Sequence, residues 1–592
     1  MANDKHGRFT HLVPLLKKHS SLIWIGAGVT IFANVLVLIV PYLIKLAFEA
    51  VEAGEPASVI LRLCAYMVGL AVVGGAFRFA MRRTIIWASR KVEYDLRGVL
   101  FEKLLNLDPS YYHNTKTGDL MAHATNDVEA IRMMVGPGIM HIFNTLVSTC
   151  VAIAFMMTLS VKLTLFTILP MTLLSMSVHR LSKMAHKKYL AIQSYFSFLT
   201  SRVQENLAGV RVVKAYGREE SEIENFSGVS RKYADLNLSL MKIIGLFHPM
   251  LFFIAGSVSL LILYTGGREV IADRISLGTL VAFFGYLSWL VWPMMALGWV
   301  VALYQRGIAS LGRISKILDT EPNVADPLKA STSANEVKGK IEFRNLTFTY
   351  PLLNDSADKF EPVLKDINLT IEAGTRLGIT GPTGSGKTSL VSLIPRLYPA
   401  ENGQILIDDI DINLWPLKLL RQGIGFVPQE TFLFSDTMEA NIRFSADQPD
   451  QNGVAHAARL AALHDDIESF PGRYDTILGE RGITLSGGQK QRAALARAIM
   501  REPAIMVLDD ATSSVDTETE EAIFENFRKV LPGRTSIIIS HRVASLKHCD
   551  LIIYLDDGRI IEQGGHEDLL AQNGAYALLH RRQMMEQQLE KM

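Results

Sequence analysis

Long apolar runs crowd the first half of the chain and are absent from the second, and this asymmetry constrains the fold more than any other feature. A helix needs about 20 residues to cross the hydrocarbon core of a bilayer. Charge-free stretches of that order run from Lys17 and Lys18 through Ile44, from Met133 to Val161, from Ile243 to Gly267 and from Ile275 to Gln305. Two shorter ones are Leu63 to Phe77, between Arg62 and Arg78, and Leu163 to His179, between Lys162 and Arg180. These cross if their terminal arginines snorkel to the interface. Six spans are therefore predicted. The first is too long for the ~7–15-residue core of a secretory signal and has no small-residue cleavage site after it, so it reads as a retained helix.

Composition removes other classes. The chain has 592 residues, 49% of them hydrophobic, and its 60 Lys and Arg against 59 Asp and Glu leave a charge of +1. Without a basic excess, nucleic acid is not an expected partner. Cys64, Cys150 and Cys549 are too few and too scattered for a disulfide framework or a zinc site.

Basic residues collect in two inner loops, eight between Arg82 and Arg132 and eleven between Arg180 and Lys242, whereas the first outer loop carries Glu49, Glu52 and Glu55. Both termini are then expected in the cytoplasm. Each loop reads as a helical hairpin of about 25 residues per arm, reaching ~35–40 Å beyond the membrane. The helical pattern breaks at Asp108-Pro109, before Tyr111, Tyr112 and Thr117-Gly118-Asp119, and again at Leu207-Ala208-Gly209, before Val210. Those breaks mark docking elements or ordinary helix corners.

Polar residues inside the runs are few, namely Asn34, Asn144 and His248, with no Asp or Glu, which disfavours coupling to a proton gradient. Trp289, Trp292, Met294, Met295 and Trp299 surround Pro293. Such side chains either pack helices together or line an adaptable pocket for apolar, including cationic, ligands.

At residues 321–339 the composition turns to Pro, Asp, Ser, Asn and Lys, which reads as a linker between a transmembrane domain at 1–320 and a soluble domain at 340–580, with a tail at 581–592. Ile341 to Tyr350 alternates as a strand. Arg376 to Thr380 is a second strand that runs into Gly381, Pro382, Thr383, Gly384, Ser385, Gly386, Lys387 and Thr388, followed by Ser389 and an apolar helix. Glycines let backbone N–H groups close on phosphate, Lys387 can reach the outer phosphates, and the Thr388 hydroxyl can ligate magnesium.

The remaining pieces match what phosphoryl transfer requires. Ile505 to Asp509 is a buried strand ending in a carboxylate suited to magnesium, and Asp510 stands next to it at the position of a general base. Gln429, after Ile424 to Pro428, offers an amide oxygen to magnesium and the attacking water. His541 follows the strand Thr535 to Ser540, placed to contact a terminal phosphate, and Tyr350 can stack on a nucleotide base. Leu485, Ser486, Gly487, Gly488 and Gln489 open a helix from Lys490 to Met500 and form a second phosphate-binding terminus, which one active site does not need by itself. It makes sense if it serves a nucleotide held by another cassette.

In this order the motifs resemble those of the ATP-binding cassette exporters of multidrug type, and the resemblance covers the whole chain. It implies six transmembrane helices followed by an α/β phosphate-loop domain binding ATP and Mg2+, and docking helices near Asp119 and Glu205 to Ala215. It also implies a role for Asp516, in the Ser514-Val515-Asp516 loop, at a shared site. Asp510 departs from the family's usual Glu by one methylene, as in the degenerate subunit of heterodimeric bacterial exporters. Such misplacement of a catalytic group can cost on the order of 100-fold in rate. The implied protein is half of a heterodimer in the plasma (bacterial inner) membrane, moving hydrophobic or amphipathic small molecules and assisting hydrolysis at its partner's site. Lipid or peptide translocation, and an ATP-binding regulatory subunit that transports nothing, remain open.

Overall fold

A computed structural model of the chain describes residues 7, 9–327, 331, 335–351, 361–446, 451–479, 482, 485–530 and 533–590. The chain divides into two compact units, Met1–Leu105 with Gly118–Thr320, and Asn106–Thr117 with Glu321–Met592.

Among its described residues the second unit contains ten strands: β1 (Ile341–Phe348), β2 (Leu364–Ile371), β3 (Arg376–Thr380), β4 (Ile405–Ile407), β5 (Ile410–Asp411), β6 (Ile424–Val427), β7 (Ile505–Asp509), β8 (Thr535–Ile539), β9 (Leu551–Asp556) and β10 (Arg559–Gly564). They form an antiparallel sheet in the order β2-β1-β4-β5 and a larger sheet in the order β10-β9-β3-β8-β7-β6. In the larger sheet every pairing is parallel except that of β10 with β9. Strands buried on both faces read as continuous apolar runs, and β7 is buried at every position. β1 instead keeps an exposed face. Its alternation is broken between Phe343 and Leu346 by a shift of register, which leaves Arg344 and Asn345 both exposed and returns Leu346 and Phe348 to the core. One core packs the antiparallel sheet against β3 and the helix Lys387–Ser392, around the fully buried Trp415.

In this unit the short helix Pro109–Asn114 is capped by Asp108, whose carboxylate accepts from the Ser110 N–H at 3.1 Å and from the Asn323 N–H at 2.6 Å. The sequence break at Asp108-Pro109 is thus a helix start.

The first unit is helical. Four runs among the described residues are long and apolar enough to cross a membrane: Ser20–Glu52, Ala57–Asn106, Thr117–Leu159 and Phe252–Ile271. Shorter apolar stretches, Val161–Pro170 and Leu277–Val291, open the long helices Val161–Ala208 and Leu277–Asp319. The predicted runs lie largely in these helices; Ile243 to Gly267 lies within the longer helix Glu219–Ile271, and Met133 to Val161 runs past Leu159 across the extended Ser160. Gly209 ends the helix Val161–Ala208, and a short helix, Val210–Ala215, follows at the second predicted break. The side chains of His248, Trp292, Met294 and Met295 lie outside the described residues.

Polar contacts tie these helices together, among them a pair of amides and a buried aspartate. Asn34 Nδ2 donates to Asn144 Oδ1 at 3.0 Å, joining two apolar runs where a bonded amide pair costs far less than unpaired ones. Before the charge-free stretch that starts at Met133, the buried Asp127 accepts from Ser310 Oγ and Arg313 Nε, both at 2.8 Å, and its other neighbour is His123 Nδ1 at 2.7 Å. Removing one partner of such a pair strands the other charge. Because the Arg313 side chain is half exposed and Asp127 keeps Ser310 and His123, Arg313→Ala should destabilise the purified protein by about 1 kcal/mol, seen as a lower Tm in detergent. An unchanged Tm would show that Asp127 does not hold these helices together.

Candidate nucleotide site

Parallel strands all point one way, so the residues after them collect at one edge of the sheet. The neighbours β3, β8, β7 and β6 deliver, in that spatial order, the loop Gly381–Thr388, then Ser540 and His541, then Asp509 and Asp510, and last Gln429.

The loop has a shape that glycine alone adopts without strain. Gly381 has φ +146°, and a Cβ there would sit 2.0 Å from the Leu555 carbonyl oxygen. Gly386 has φ +98° with Leu364 Cδ2 2.8 Å from the corresponding point, and Gly384 has φ +85°. Pro382 and Ser385 close the turn through a Ser385 N–H to Pro382 O bond of 3.3 Å, with Thr383 exposed at its crest. Lys387 is buried, and its ammonium folds back onto Gly381 O at 2.9 Å and Pro382 O at 2.6 Å. Burial lowers the Lys387 pKa, and the charges of Asp509 and Asp510 oppose that shift.

Asp509 is 1% exposed, and one of its carboxylate oxygens, Oδ2, has no hydrogen-bond partner. Burial raises its pKa, against a hydrogen bond with Thr388 and the charge on Lys387. A dry carboxylate with an unused oxygen beside a threonine hydroxyl is what a hard cation binds. Among the described residues no cluster of three His, Cys, Asp or Glu side chains exists, so such a cation would rely on phosphate and water for its remaining ligands.

Asp510 has a left-handed backbone, φ +49°, which Asp tolerates better than most residues. Its N–H donates to Ile539 O at 3.1 Å, and its carbonyl accepts from Ser513 Oγ at 3.0 Å. Gln429 and His541 are exposed at the same edge, and Gln583 Nε2 donates to the His541 carbonyl at 2.6 Å. Tyr350 Oη lies 2.8 Å from Ser389 Oγ, which fixes the ring beside the loop.

The sequence did not single out what braces that ring. Tyr398 packs edge-on against Tyr350 at 4.9 Å between centroids, and His113 stacks on Tyr398 at 6.1 Å. Burial pushes the Tyr398 hydroxyl up to about 12, so it stays a neutral donor or acceptor facing His113 Nδ1 at 3.2 Å. Glu520 was also missed, one acid among several in the helix Thr517–Val530. It is buried and accepts from Thr512 Oγ1 and Ser545 Oγ, both at 2.7 Å, and from Arg542 Nη1 at 3.0 Å. Only packing distinguishes it from its neighbours.

Ser486 caps the helix Gly487–Ile499, which begins three residues before its predicted start at Lys490. Ser486 Oγ accepts from the Gln489 N–H at 3.2 Å, while Gln489 Oε1 accepts from the Ser486 N–H at 3.1 Å. Gln489 Nε2 donates to Asp466 at 2.9 Å. Gly487 and Gly488 lie against Ser514, where added Cβ atoms would come within 3.3 and 2.9 Å of it. The Asp516 carboxylate accepts from the Thr519 N–H at 2.9 Å, which holds its pKa below the usual range. Tyr350, the loop and Asp509 thus meet at one place, and Ser486 to Gln489 pack on the Ser514–Asp516 loop. Among the described residues no hydrogen bond joins the two groups.

Residues 23–294 match the ABC transporter transmembrane region, and residues 364–513 match the ABC transporter family of ATP-binding domains. The Multidrug resistance-like ATP-binding protein MdlA of Escherichia coli (strain K12) is 35% identical over 96% of this chain and 95% of its own length. The ATP-dependent lipid A-core flippase of Syntrophus aciditrophicus (strain SB) is 32% identical over 99% of this chain and 96% of its own. A solved bacterial Atm1-family ABC exporter with ATP bound aligns with a TM-score of 0.77 at 28% identity, covering 96% of this chain and 99% of that one. The chain belongs to the ATP-binding cassette exporters, as a half-transporter that joins a helical transmembrane domain to an ATP-binding domain.

Proposed function

We propose that this chain exports hydrophobic or amphipathic compounds across the plasma membrane, with both termini cytoplasmic, as half of a heterodimer whose weaker hydrolytic site carries Asp510. The observation that carries this reading is a short carboxylate in the general-base position beside an otherwise complete site. The multidrug name of one relative supports small amphipathic substrates, and the flippase name of another keeps lipid translocation as a second reading.

In this account ATP occupies the sheet edge, with its base on Tyr350 and its phosphates in the loop Gly381–Thr388. Lys387 exchanges its two carbonyl bonds for phosphate oxygens, a stronger charge-assisted contact. Thr388, Asp509 and Gln429 would hold Mg2+, which would supply charge neutralisation at the phosphates. Gln429 and Asp510 face the attacking water, and His541 faces the terminal phosphate. Ser486 to Gln489, with Asp516, complete the site on the partner subunit. ATP binding favours an outward-opening state only as far as its affinity for that state exceeds its affinity for the inward one.

Two outcomes follow. Lys387→Ala should weaken nucleotide binding by at least about 10-fold through loss of the phosphate countercharge, while Asp510→Asn leaves binding within about 2-fold. Equal losses in a fluorescent-nucleotide titration would show that Asp510 is misassigned. In the assembled heterodimer, Gly487→Asp places bulk and negative charge against the partner's nucleotide and should nearly abolish ATP turnover, whereas Asp510→Asn should reduce it little. Comparable losses, with assembly verified by co-purification, would mean that Asp510 is a working base.

A further inference from the structure

Helices of the first unit line an open cavity of about 880 Å³. Phe79, Met81, Met140 and Trp289 give it an apolar wall, and of the described aromatic and methionine side chains around Pro293 it takes Trp289 but not Trp299. Its polar side runs against the expectation of a pocket for cations. Arg78, Arg82 and His141 line it, and its described lining contains no Asp or Glu. His141 lies within the run Met133 to Val161, one turn before Asn144.

Arg78 was expected to snorkel from the end of its apolar run. Instead its half-buried guanidinium lies 4.8 Å from the centroid of the Trp289 ring, on another helix. That contact orients the guanidinium without neutralising it. No ion pair engages Arg78 or Arg82 among the described residues. Asn144 adds a further donor. Its carbonyl accepts from Asn34, and no partner for its own amide N–H2 occurs among the described residues. A cation at membrane depth is costly unless something of opposite charge meets it. Here every charged or chargeable lining group is a cation or becomes one, and the apolar wall continues directly from them.

We propose that this cavity binds an amphipathic anion, with its charged head on Arg78 and Arg82, donated to by Asn144, and its apolar body against Phe79, Met140 and Trp289. This inference rests on the export reading and narrows it by naming the substrate class. It excludes the lipophilic cations that the sequence alone left open. The same chemistry describes a free organic anion and an anionic phospholipid headgroup.

Tetraphenylborate and tetraphenylphosphonium have nearly the same shape and opposite charge, so they isolate the sign of the cavity. Binding of each is measured by equilibrium dialysis to the full chain in phosphatidylcholine nanodiscs, with empty nanodiscs subtracted. The borate should bind at least about 10-fold more tightly than the phosphonium, as charge-assisted contacts to one or two guanidinium groups imply. Arg78→Gln with Arg82→Gln should remove that preference, whereas Arg78→Lys should keep most of it. Retained nucleotide binding in each variant reports that the chain is folded, and Arg82→Gln alone, at an exposed position, gives a milder version of the same test. Equal binding of the two ions by the wild-type chain, or an anion preference that survives the double substitution, would overturn the proposal. Adding phosphatidylglycerol to the nanodiscs separates the sources. Competition with the borate identifies a lipid headgroup as occupant, and its absence identifies a free anion. ATP-driven accumulation of either ion in inverted vesicles tests export independently, so an arginine-dependent anion site without transport would count against the export reading alone.

Discussion

The parallel register across β3, β8 and β7 is the constraint on which the rest of the ATP-binding domain depends. Ile379 and Asp509 both pair with Ile539, on opposite sides of β8, so the end of β3 and the end of β7 stand at one level. That brings Thr388, at the start of the helix after β3, into hydrogen-bonding reach of Asp509. A slip of one residue would displace Asp509 by about 3.3 Å and turn its side chain to the other face of the sheet. The glycines of the loop are a consequence of this arrangement. The close approach of Gly381 to the Leu555 carbonyl leaves no room for a side chain.

Elements with a strong local signature were legible in the sequence. Residues 376–380 and 505–509 are strands with the predicted limits, the second continuously buried and apolar up to its terminal Asp509. The break at Asp108-Pro109 was legible because proline after an aspartate is a helix start written in two residues. What local pattern could not carry was partnership. Nothing in the sequence distinguishes Tyr398 from the chain's other tyrosines, or Glu520 from the acids around it, and each acquires meaning only from the side chains folded against it. The bulge in β1 was invisible for a related reason, since one extra residue changes the face without changing the composition.

The membrane domain teaches the same lesson with the opposite sign. Its apolar runs are clear by length, but the ligand chemistry they imply is set by a few residues at their ends. Read along the chain, Arg78 is a boundary marker, and in three dimensions it lies over Trp289 and faces a cavity. Hydrophobicity alone supports a pocket for any apolar compound, while charge placement selects among such compounds.

The central claim is that this half-transporter holds ATP at a well-formed site and hydrolyses it poorly because the base at residue 510 is one methylene short. The most direct measurement is steady-state ATP turnover by the purified chain alone, comparing wild type with Asp510→Glu at matched nucleotide occupancy. The account predicts slow turnover by the wild type and a rise on the order of 100-fold in the variant, the scale expected for restoring a catalytic group displaced by about 1 Å. Vigorous turnover by the wild-type chain with no gain from Asp510→Glu would contradict it.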